Sequence, residues 1–550
     1  MSVLDIVQPI AAPSTGKRDF AQFKELQGYR YNWDWLWQRV ADYVIPHRAD
    51  FTVTRFPGQR RDYEIYDTTA TWALNQLAAG LHQLLTTPSL PWFYLGMDDE
   101  LSRQQAVQVW LSDTQARINQ VFNDPGSRFQ SQAHEVYTDL GAFGTAIMDV
   151  QDDKGVKFCN RFLGECFIGQ SHHGTVDTMY RAFLLPFHRI VDIFGEKKLP
   201  SDMIKTGTKD PFHKFKMLHV TKPAESGNKW DSRYYLLDSQ TLLREGTFKT
   251  FPYITPRWSQ SHVEIYGRGP AITALADILM VNELKRVLLR AAHKAVDPPL
   301  LQPSSGFMQA INLNPGQTNY FDETGIVKEP YFLESKANFP IGERILEMTQ
   351  QDIIRAFYVD MLQLPGGLMP GAKNQNTYMT ATEAMMRREN AMRVIGPVVS
   401  RLQNEFLGPI ITKVFEILLK RRSIAPPPQG VHDKPIDVHY VSPLTIAQSG
   451  AEVDNWTRFI TQIQPIAGLD PTIMDGIDLA AVPRYLAAKY HLPMQLMRTQ
   501  QQVAQIQQQR AQAQQAQQDN IQANTNLTAA KRNTEYEKSL TEAAGRNQAQ

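Results

Sequence analysis

The sequence predicts an α+β fold, in which a mixed N-terminal region of helices and strands precedes a long, mainly helical region. Three observations predict it: helix-like segments up to about residue 140, β-rich runs around turns from there to about Tyr266, and apolar residues at helical spacing from Pro270 onward. The chain is 42% hydrophobic and 21% charged, as is typical of folded proteins, so we expect disorder only at the ends.

The N-terminal region divides into four helices followed by β-hairpins. Helices are predicted over residues 20–49, 68–87 and 129–140, and a further helix opens at the capping box of Ser102 and Gln105 and closes at Asn123. The runs AIMDVQ and VKFCNRF flank a turn that contains Gly155, and CFIGQ and TVDTMYRAFLLP flank a second turn. KMLHV and RYYLL then continue the strand-like composition.

Two long helices are predicted after Pro270. The first runs from Ala271 to Val296, about 39 Å at ~1.5 Å per residue, and stops at Asp297-Pro298-Pro299. The second runs from about Gly342 to Leu364. The apolar residues that mark the two helices are Ile278, Val281, Leu284, Leu288 and Ala291 on the first, and Ile345, Ile353, Ile354, Phe357 and Met361 on the second. A turn-rich segment with short strand-like pieces separates them.

A loop rich in Gly and Pro, residues 363–379, leads into another long helix. The capping box of Thr380 and Glu383 opens this helix, which reaches about Arg422. Gly396-Pro397 and Gly408-Pro409 lie inside it, and we expect bends there because proline removes a backbone hydrogen bond. After APPPQG, residues 443–495 are predicted to form a compact helical piece.

The composition argues against several classes of function. The formal net charge is +1, so the whole chain lacks the basic excess typical of a sequence-reading DNA binder. With Cys159 and Cys166 as its only cysteines, a disulfide framework or a zinc site is not expected. The N-terminus shows no signal-peptide pattern, and charged residues interrupt the apolar stretch Ile272–Val296, so no membrane span is expected.

No motif of an enzyme is present. The sequence contains no G-x-x-x-x-G-K-[ST], no H-E-x-x-H and no G-x-S-x-G. His172-His173 lies in a predicted turn beside Gly174, where a surface turn is favoured over a metal site. We therefore predict no catalytic residues, no metal and no cofactor.

Four stretches in the correct order resemble the portal proteins, or head-to-tail connectors, of short-tailed, T7-like bacteriophages. They are RDYEIYDTTATWALNQLAAGLHQLLTTPSLPWFYL, YGRGPAITALADILMVNELKRVLLRAAHKAVDPPLL, NPGQTNYF and MTATEAMMRRENAMRVIGPVVSRLQNEFLGPII. The resemblance covers about residues 20–425 and does not include the tail from about Met494.

The resemblance implies a portal fold in a dodecameric ring around a channel. It implies an α+β wing (1–270), two stem helices (271–297 and 342–363), a small β-rich clip between them (298–341), a tunnel loop (364–379), a kinked helix (380–422) and a helical crown (423–495). The tunnel loop would line the narrowest part of the channel and touch DNA through Met369, Lys373, Asn374, Gln375, Asn376 and Thr377. Its glycines give backbone freedom, and its single lysine suits a weak contact.

The resemblance also implies the partners and the location. Clip residues Asn312, Asn314, Gln317, Asn319 and Lys328 would dock the terminase large subunit and the tail adaptor protein. Further partners would be double-stranded DNA, bound without sequence specificity, the major capsid and scaffolding proteins, and internal core or ejection proteins at the C-terminal end. The protein would be assembled in the host cytoplasm and would reside at the portal vertex of the virion.

The C-terminal tail, residues 496–550, has two interpretations. It contains TQQQVAQIQQQRAQAQQAQQDN, in which Ala and Gln favour helix but offer little to bury. Neighbouring tails in a ring could form a helical barrel that extends the channel, whereas a single tail could be disordered. For the whole chain, a nucleic-acid-processing enzyme and a monomeric scaffold with a coiled-coil tail remain the alternatives to a ring.

Overall fold

Helices and antiparallel sheets alternate along the computed structural model, which confirms the predicted α+β class. It describes residues 13–61, 64–88, 91–97, 104–225, 227, 229–296, 300–301, 331–332, 339–362, 394–428, 437–440, 458–463, 482 and 500–547. The chain forms two compact units, one of residues 1–94, 114–426 and 438–444, and one of residues 95–113, 427–437 and 445–550. Among the residues described, no helix is long and apolar enough to cross a membrane.

In the residues described, the N-terminal part contains six α-helices and nine strands. The helices are α1 (Pro13–Tyr43), α2 (Thr69–Leu85), α3 (Gln105–Asn123), α4 (Phe129–Phe143), α5 (Phe187–Phe194) and α6 (Ser201–Lys209). The strands are β1 (Phe93–Gly96), β2 (Ile147–Asp152), β3 (Val156–Arg161), β4 (Cys166–Gln170), β5 (Val176–Pro186), β6 (Lys214–Pro223), β7 (Trp230–Leu236), β8 (Leu242–Phe248) and β9 (Tyr253–Ile254). Both predicted hairpins are present, as β2–β3 and β4–β5.

The C-terminal part is mainly helical in the residues described. Its elements are α7 (Pro270–Thr273), α8 (Leu275–Val296), β10 (Leu300–Leu301), β11 (Tyr331–Phe332), α9 (Phe339–Ala356), α10 (Val359–Leu362), α11 (394–402), a π-helix (Gln403–Leu407), α12 (Gly408–Lys420), β12 (Asp437–Tyr440), a short helical segment (458–463) and α13 (Gln500–Asn547). β10 and β11 pair antiparallel between α8 and α9.

A five-stranded antiparallel sheet, ordered β4-β5-β6-β7-β8, organises the N-terminal part. Side chains alternate across β6, so that Met217 and Leu218 enter different cores. Helices α5 and α6 cover the Met217 face through Phe187, Ile190 and Met203. Helix α1 covers the other face, and this layering buries both sides of the sheet.

Helix α1 is fastened to this sheet by buried charges as well as by apolar packing. The fully buried Asp19 accepts hydrogen bonds from Lys222 at 2.5 Å, from Arg233 at 3.3 Å and from the Tyr235 hydroxyl at 2.8 Å. Further along the helix, Arg30 donates to three backbone carbonyls just before and at the start of β4. Burying these groups is tolerated because each one is paired.

A smaller sheet, ordered β3-β2-β9, packs against α4. An aromatic cluster holds this region together, with ring-centroid distances of 4.4 Å between Phe122 and Phe129 and 5.0 Å between Phe129 and Phe158. Rings in such edge-on and tilted arrangements add to the free energy gained from burying their apolar area.

Both predicted long helices are interrupted. The first divides at Ala274 into α7 and α8, and the second begins earlier than predicted, at Phe339, and breaks after Ala356. At the second break Tyr358 adopts a left-handed conformation, with φ of 57°, while Phe357 is fully buried. Because this conformation is uncommon for a non-glycine residue, periodicity alone could not reveal the break.

Candidate subunit interface on the helical hairpin

The predicted tunnel-loop and clip residues lie outside the described residues. This applies to Met369, Lys373, Asn374, Gln375, Asn376 and Thr377 of the loop, and to Asn312, Asn314, Gln317, Asn319 and Lys328 of the clip. The parts of the same region that are described are α8 and α9, an antiparallel pair that we call the helical hairpin. It offers the surface that bears most directly on assembly.

The base of the helical hairpin is attached to the loop before α2 through one buried side chain. Asn282 of α8 donates to the backbone carbonyl of Glu64 at 2.7 Å, and its side-chain oxygen accepts from the amides of Tyr66 and Asp67 at 2.7 and 3.3 Å. All three contacts are with the backbone, so α8 is held at a defined position relative to α2.

Asp67 joins the two helices of the hairpin at the same level. Its carboxylate accepts from Lys285 of α8 at 3.2 Å and from Gln350 of α9 at 2.7 Å. Burial favours the neutral carboxyl group, but hydrogen bonds from Thr69 and Gln350 and the charge of Lys285 outweigh it, so the pKa of Asp67 is lowered. The ionised carboxylate therefore acts as the tie between α8 and α9.

Further from the base, the two helices approach closely because α9 carries a glycine there. A Cβ atom on Gly342 would lie 2.7 Å from Cδ2 of Leu288, which is closer than side-chain atoms approach. Any side chain at this position would push the helices apart or displace Leu288. Gly342 therefore lets the end of the Leu288 side chain pack directly against the backbone of α9.

Helix α9 presents a row of apolar side chains that the described part of the chain leaves exposed. Ile341, Ile345 and Met348 are spaced i, i+4 and i+7, so they lie on one face of the helix. Ile341 and Met348 are each 57% exposed. Single exposed apolar residues are ordinary, whereas a continuous row on one helix marks a contact surface.

Helix α8 repeats the arrangement. Met280, Leu284 and Val287 have the same spacing, and Met280 and Val287 are about half exposed while Leu284 is partly buried. The row faces away from Ile278 and Val281, which are buried in the chain's own core. We refer to these two rows together as the apolar stripes of the hairpin.

The sequence identified part of this surface and missed the rest. Of the predicted apolar positions, Ile353, Ile354 and Phe357 are buried in the core of the same chain. Ile345 and Leu284 were predicted and belong to the apolar stripes, whereas Met280, Val287, Ile341 and Met348 were not among the predicted positions. Met280 and Val287 each come directly before a predicted apolar position and are seven residues apart. This repeat is the signal in the sequence that could have revealed them.

The described residues contain no cluster of three or more metal-binding side chains. His172 and His173 lie in an exposed turn between β4 and β5, as predicted, and their rings are 3.7 Å apart. His219 contacts the Ser232 hydroxyl at 2.9 Å, yet both residues are buried, so this pair is a core hydrogen bond rather than an accessible nucleophile.

Comparison with known proteins gives one family. Residues 20–497 match the model of the bacteriophage head to tail connecting protein. The chain is 30% identical over 483 residues to a probable portal protein of Bordetella phage BPP-1, covering 83% of this chain and 84% of that protein. It is 27% identical over 490 residues to the portal protein of Salmonella phage epsilon15, covering 85% and 86%. The resemblance seen in the sequence is thereby confirmed: the chain belongs to the family of bacteriophage head-to-tail connecting proteins.

Proposed function

We propose that this chain is the portal protein of a bacteriophage, a structural component of the virion rather than an enzyme. Copies of it form a closed ring, a dodecamer, at the unique capsid vertex. Double-stranded DNA enters the capsid through the ring during packaging and leaves through it during ejection. The family membership and the relatives named portal protein support this function.

The observation that carries the ring proposal is the pair of apolar stripes on the helical hairpin. Met280 and Val287 on α8, and Ile341 and Met348 on α9, remain open in the single chain. If each hairpin packs against the next copy around an axis, both rows leave water. A head-to-tail contact of this kind closes into a ring when the rotation between copies divides a full turn.

The two segments outside the described residues keep the roles that the family resemblance implies. The loop 364–379 would face the channel, where Lys373 provides one cation for a weak, sequence-independent contact with phosphates. The clip 298–341 would dock the terminase large subunit during packaging and the tail adaptor afterwards. Capsid and scaffolding proteins would surround the ring.

Helix α13 supports the barrel interpretation of the tail. It spans 48 residues, about 72 Å at ~1.5 Å per residue. Apolar Ile521, Leu527, Tyr536 and Leu540 are all more than half exposed. Side-by-side packing of copies would cover them, and it would extend the channel towards the capsid interior, where core or ejection proteins would meet it.

A charge placed on the α9 stripe tests the ring. We expect Met348→Glu to convert a ring into single chains, because a carboxylate would have to leave water at the contact between copies. The fold of the chain should survive, since Met348 is 57% exposed in the monomer. Native mass spectrometry reports the number of subunits, and a thermal melt reports the fold.

Gln27→Glu is the matched control, because it adds the same charge to an exposed polar position of α1, a helix that carries neither stripe. This variant should assemble as the unmodified chain does. If Met348→Glu assembled equally well, the stripes would not be the contact between copies. A wild-type chain that stays monomeric at high concentration would remove the ring proposal itself.

A further inference from the structure

A cavity of ≈ 530 Å³ lies between the smaller sheet and the helices that follow α11. Its walls come from the start of β5, from β9 and the residues after it, and from the π-helix, α12 and Tyr440. The size is within the range of binding cavities for small ligands and short peptides. None of the residues of the apolar stripes lines it.

One wall of this cavity is the open edge of a sheet. β9 is the outer strand in the order β3-β2-β9, and Tyr253, Ile254 and Thr255 line the cavity. The register pairs Ile254 with Met148, and the Pro256 carbonyl accepts from Ala146 at 3.1 Å. Backbone groups alternate in direction along an antiparallel strand, so those of Tyr253 and Thr255 point away from β2, towards the cavity.

The backbone of Arg257 confirms this alternation. Its amide points away from β2 and donates to the Glu405 carboxylate at 3.0 Å, and its guanidinium contacts the same carboxylate at 2.7 Å. Glu405 belongs to the π-helix Gln403–Leu407, a rare element that often occurs at functional sites. The carboxylate thus occupies one end of the open edge, next to Thr255.

Thr255 offers an unpaired backbone amide at the open edge of β9. It is only 7% exposed, and among the described residues its amide has no hydrogen-bond partner. An amide that faces a cavity is available to a hydrogen-bond acceptor placed there. The groups that satisfy such an edge best are those of another extended backbone.

The charged residues that line the cavity determine which peptide segments would bind there. Arg257 and Glu405 neutralise each other, which leaves Lys413 as the remaining charged residue of the lining. Its ammonium group donates to the Thr250 hydroxyl at 2.6 Å and lies 3.8 Å from Glu416, outside the lining. Burial lowers the pKa of Lys413 despite Glu416, so an added carboxylate would be favourable here.

We propose that this cavity binds an extended peptide segment of a partner protein, which adds a strand to the outer edge of β9. Its backbone pairs with Tyr253 and Thr255, and one acidic side chain of the segment reaches Lys413. Glu405 limits the added strand at one end. The cavity is therefore a docking site for an acidic, extended segment, separate from the stripes that join copies.

A positional-scanning library of hexapeptides, acetylated and amidated to remove terminal charges, tests this on the full-length protein. We expect the retained pool to favour Asp or Glu over Asn or Gln about tenfold at one position, as suits one charge-assisted hydrogen bond. N-methylation of the alternate amides that pair with the strand should abolish retention. Hydrogen exchange at Tyr253 and Thr255 should slow when peptide is bound.

Substitutions at Lys413 and Thr255 test the acidic contact and the backbone pairing separately. Lys413→Met should remove the acidic preference, whereas Lys420→Met, an exposed lysine of the same helix that does not line the cavity, should leave it unchanged. Thr255→Pro should weaken retention of every peptide, because proline removes the amide donor while remaining compatible with an edge strand.

Three results would overturn the proposal. The first is a library without an acidic preference at any position. The second is a preference that persists in Lys413→Met. The third is retention that survives N-methylation or is displaced by acetate alone, which would indicate a site for small carboxylates rather than for an added strand.

Discussion

At the scale of single residues, Asp19 shows how strongly the N-terminal helix depends on one buried charge. Its carboxylate is fully buried and accepts hydrogen bonds from Lys222, Arg233 and Tyr235. We expect Asp19→Asn to lower the free energy of unfolding by about 3–5 kcal/mol, since breaking a buried pair leaves its cations uncompensated. Chemical denaturation measures this loss. Asp192→Asn, at an exposed position of α5, should change it little.

Alanine substitutions at two glycines are expected to change the free energy of unfolding in opposite directions. Gly144 has φ of +77°, and a Cβ atom there would lie 2.3 Å from the Gly267 carbonyl oxygen. Gly144→Ala should therefore destabilise the chain by more than about 2 kcal/mol. Gly28 of α1 has open space around it, and Gly28→Ala should stabilise by about 0.5–1 kcal/mol. Equal effects in thermal melts would contradict this reasoning.

His219 makes stability depend on pH. It is buried between Tyr253, whose hydroxyl is 2.7 Å from Nδ1, and Ser232, and burial lowers its pKa from 6.5 to about 3. Between these values the unfolded chain binds a proton that the folded chain does not. Stability should therefore fall as the pH decreases from about 6.5 towards 3, by up to about 1.4 kcal/mol per pH unit from this residue.

The variant His219→Gln isolates this contribution, because it removes the titrating ring and can keep polar contacts. Unfolding free energies measured across this window should depend less on pH in the variant than in the unmodified chain. His293→Gln, on the exposed end of α8, serves as the comparison. If both variants gave the same pH dependence, His219 would not be the origin.

At the scale of elements, the Gly408-Pro409 pair changes the regular hydrogen-bonding pattern of its helix. The sequence predicts a bend there, because Pro409 cannot donate to the preceding turn. The helix passes through a π-helical segment, Gln403–Leu407, directly before α12 begins, and such segments are among the places where helices bend. A Cβ atom on Gly408 would lie 3.0 Å from the Tyr440 hydroxyl, which itself donates to the Gln403 carbonyl.

Helix α13 leads to a prediction about order in the tail. Its described side chains between Gln502 and Thr541 are almost all exposed, so the single chain provides little packing to stabilise it. We expect amide exchange over residues 500–540 to be slow in the assembled ring and fast in the monomeric Met348→Glu variant. Fast exchange in both states would end the barrel interpretation.

At the scale of the whole molecule, the helical hairpin is a part of the chain that exposes apolar side chains in two rows. Its base is fixed by Asn282 and Asp67, while its apolar stripes face outward. A protein meant to stay monomeric would place polar residues at these positions. The hairpin is thus attached to its own chain at its base, and it exposes apolar side chains where neighbouring copies would pack in the proposed ring.

The sequence by itself determined the α+β class, both hairpins and most helix positions. Each of these follows from local periodicity and turn residues such as Gly155. The same local information identified the family through long ordered motifs. Neither the roles of the loop 364–379 nor those of the clip were decided in this way, and they stay predictions.

The tertiary structure alone decided which apolar residues are core and which are surface. Met348 and Ile353 have similar hydrophobicity and lie on the same helix, yet one is open and the other is buried. Likewise, only the fold brings Asp19 to Arg233 and leaves Thr255 facing a cavity. Burial and unsatisfied groups depend on contacts between residues far apart in the chain, and local sequence does not encode which of these contacts form.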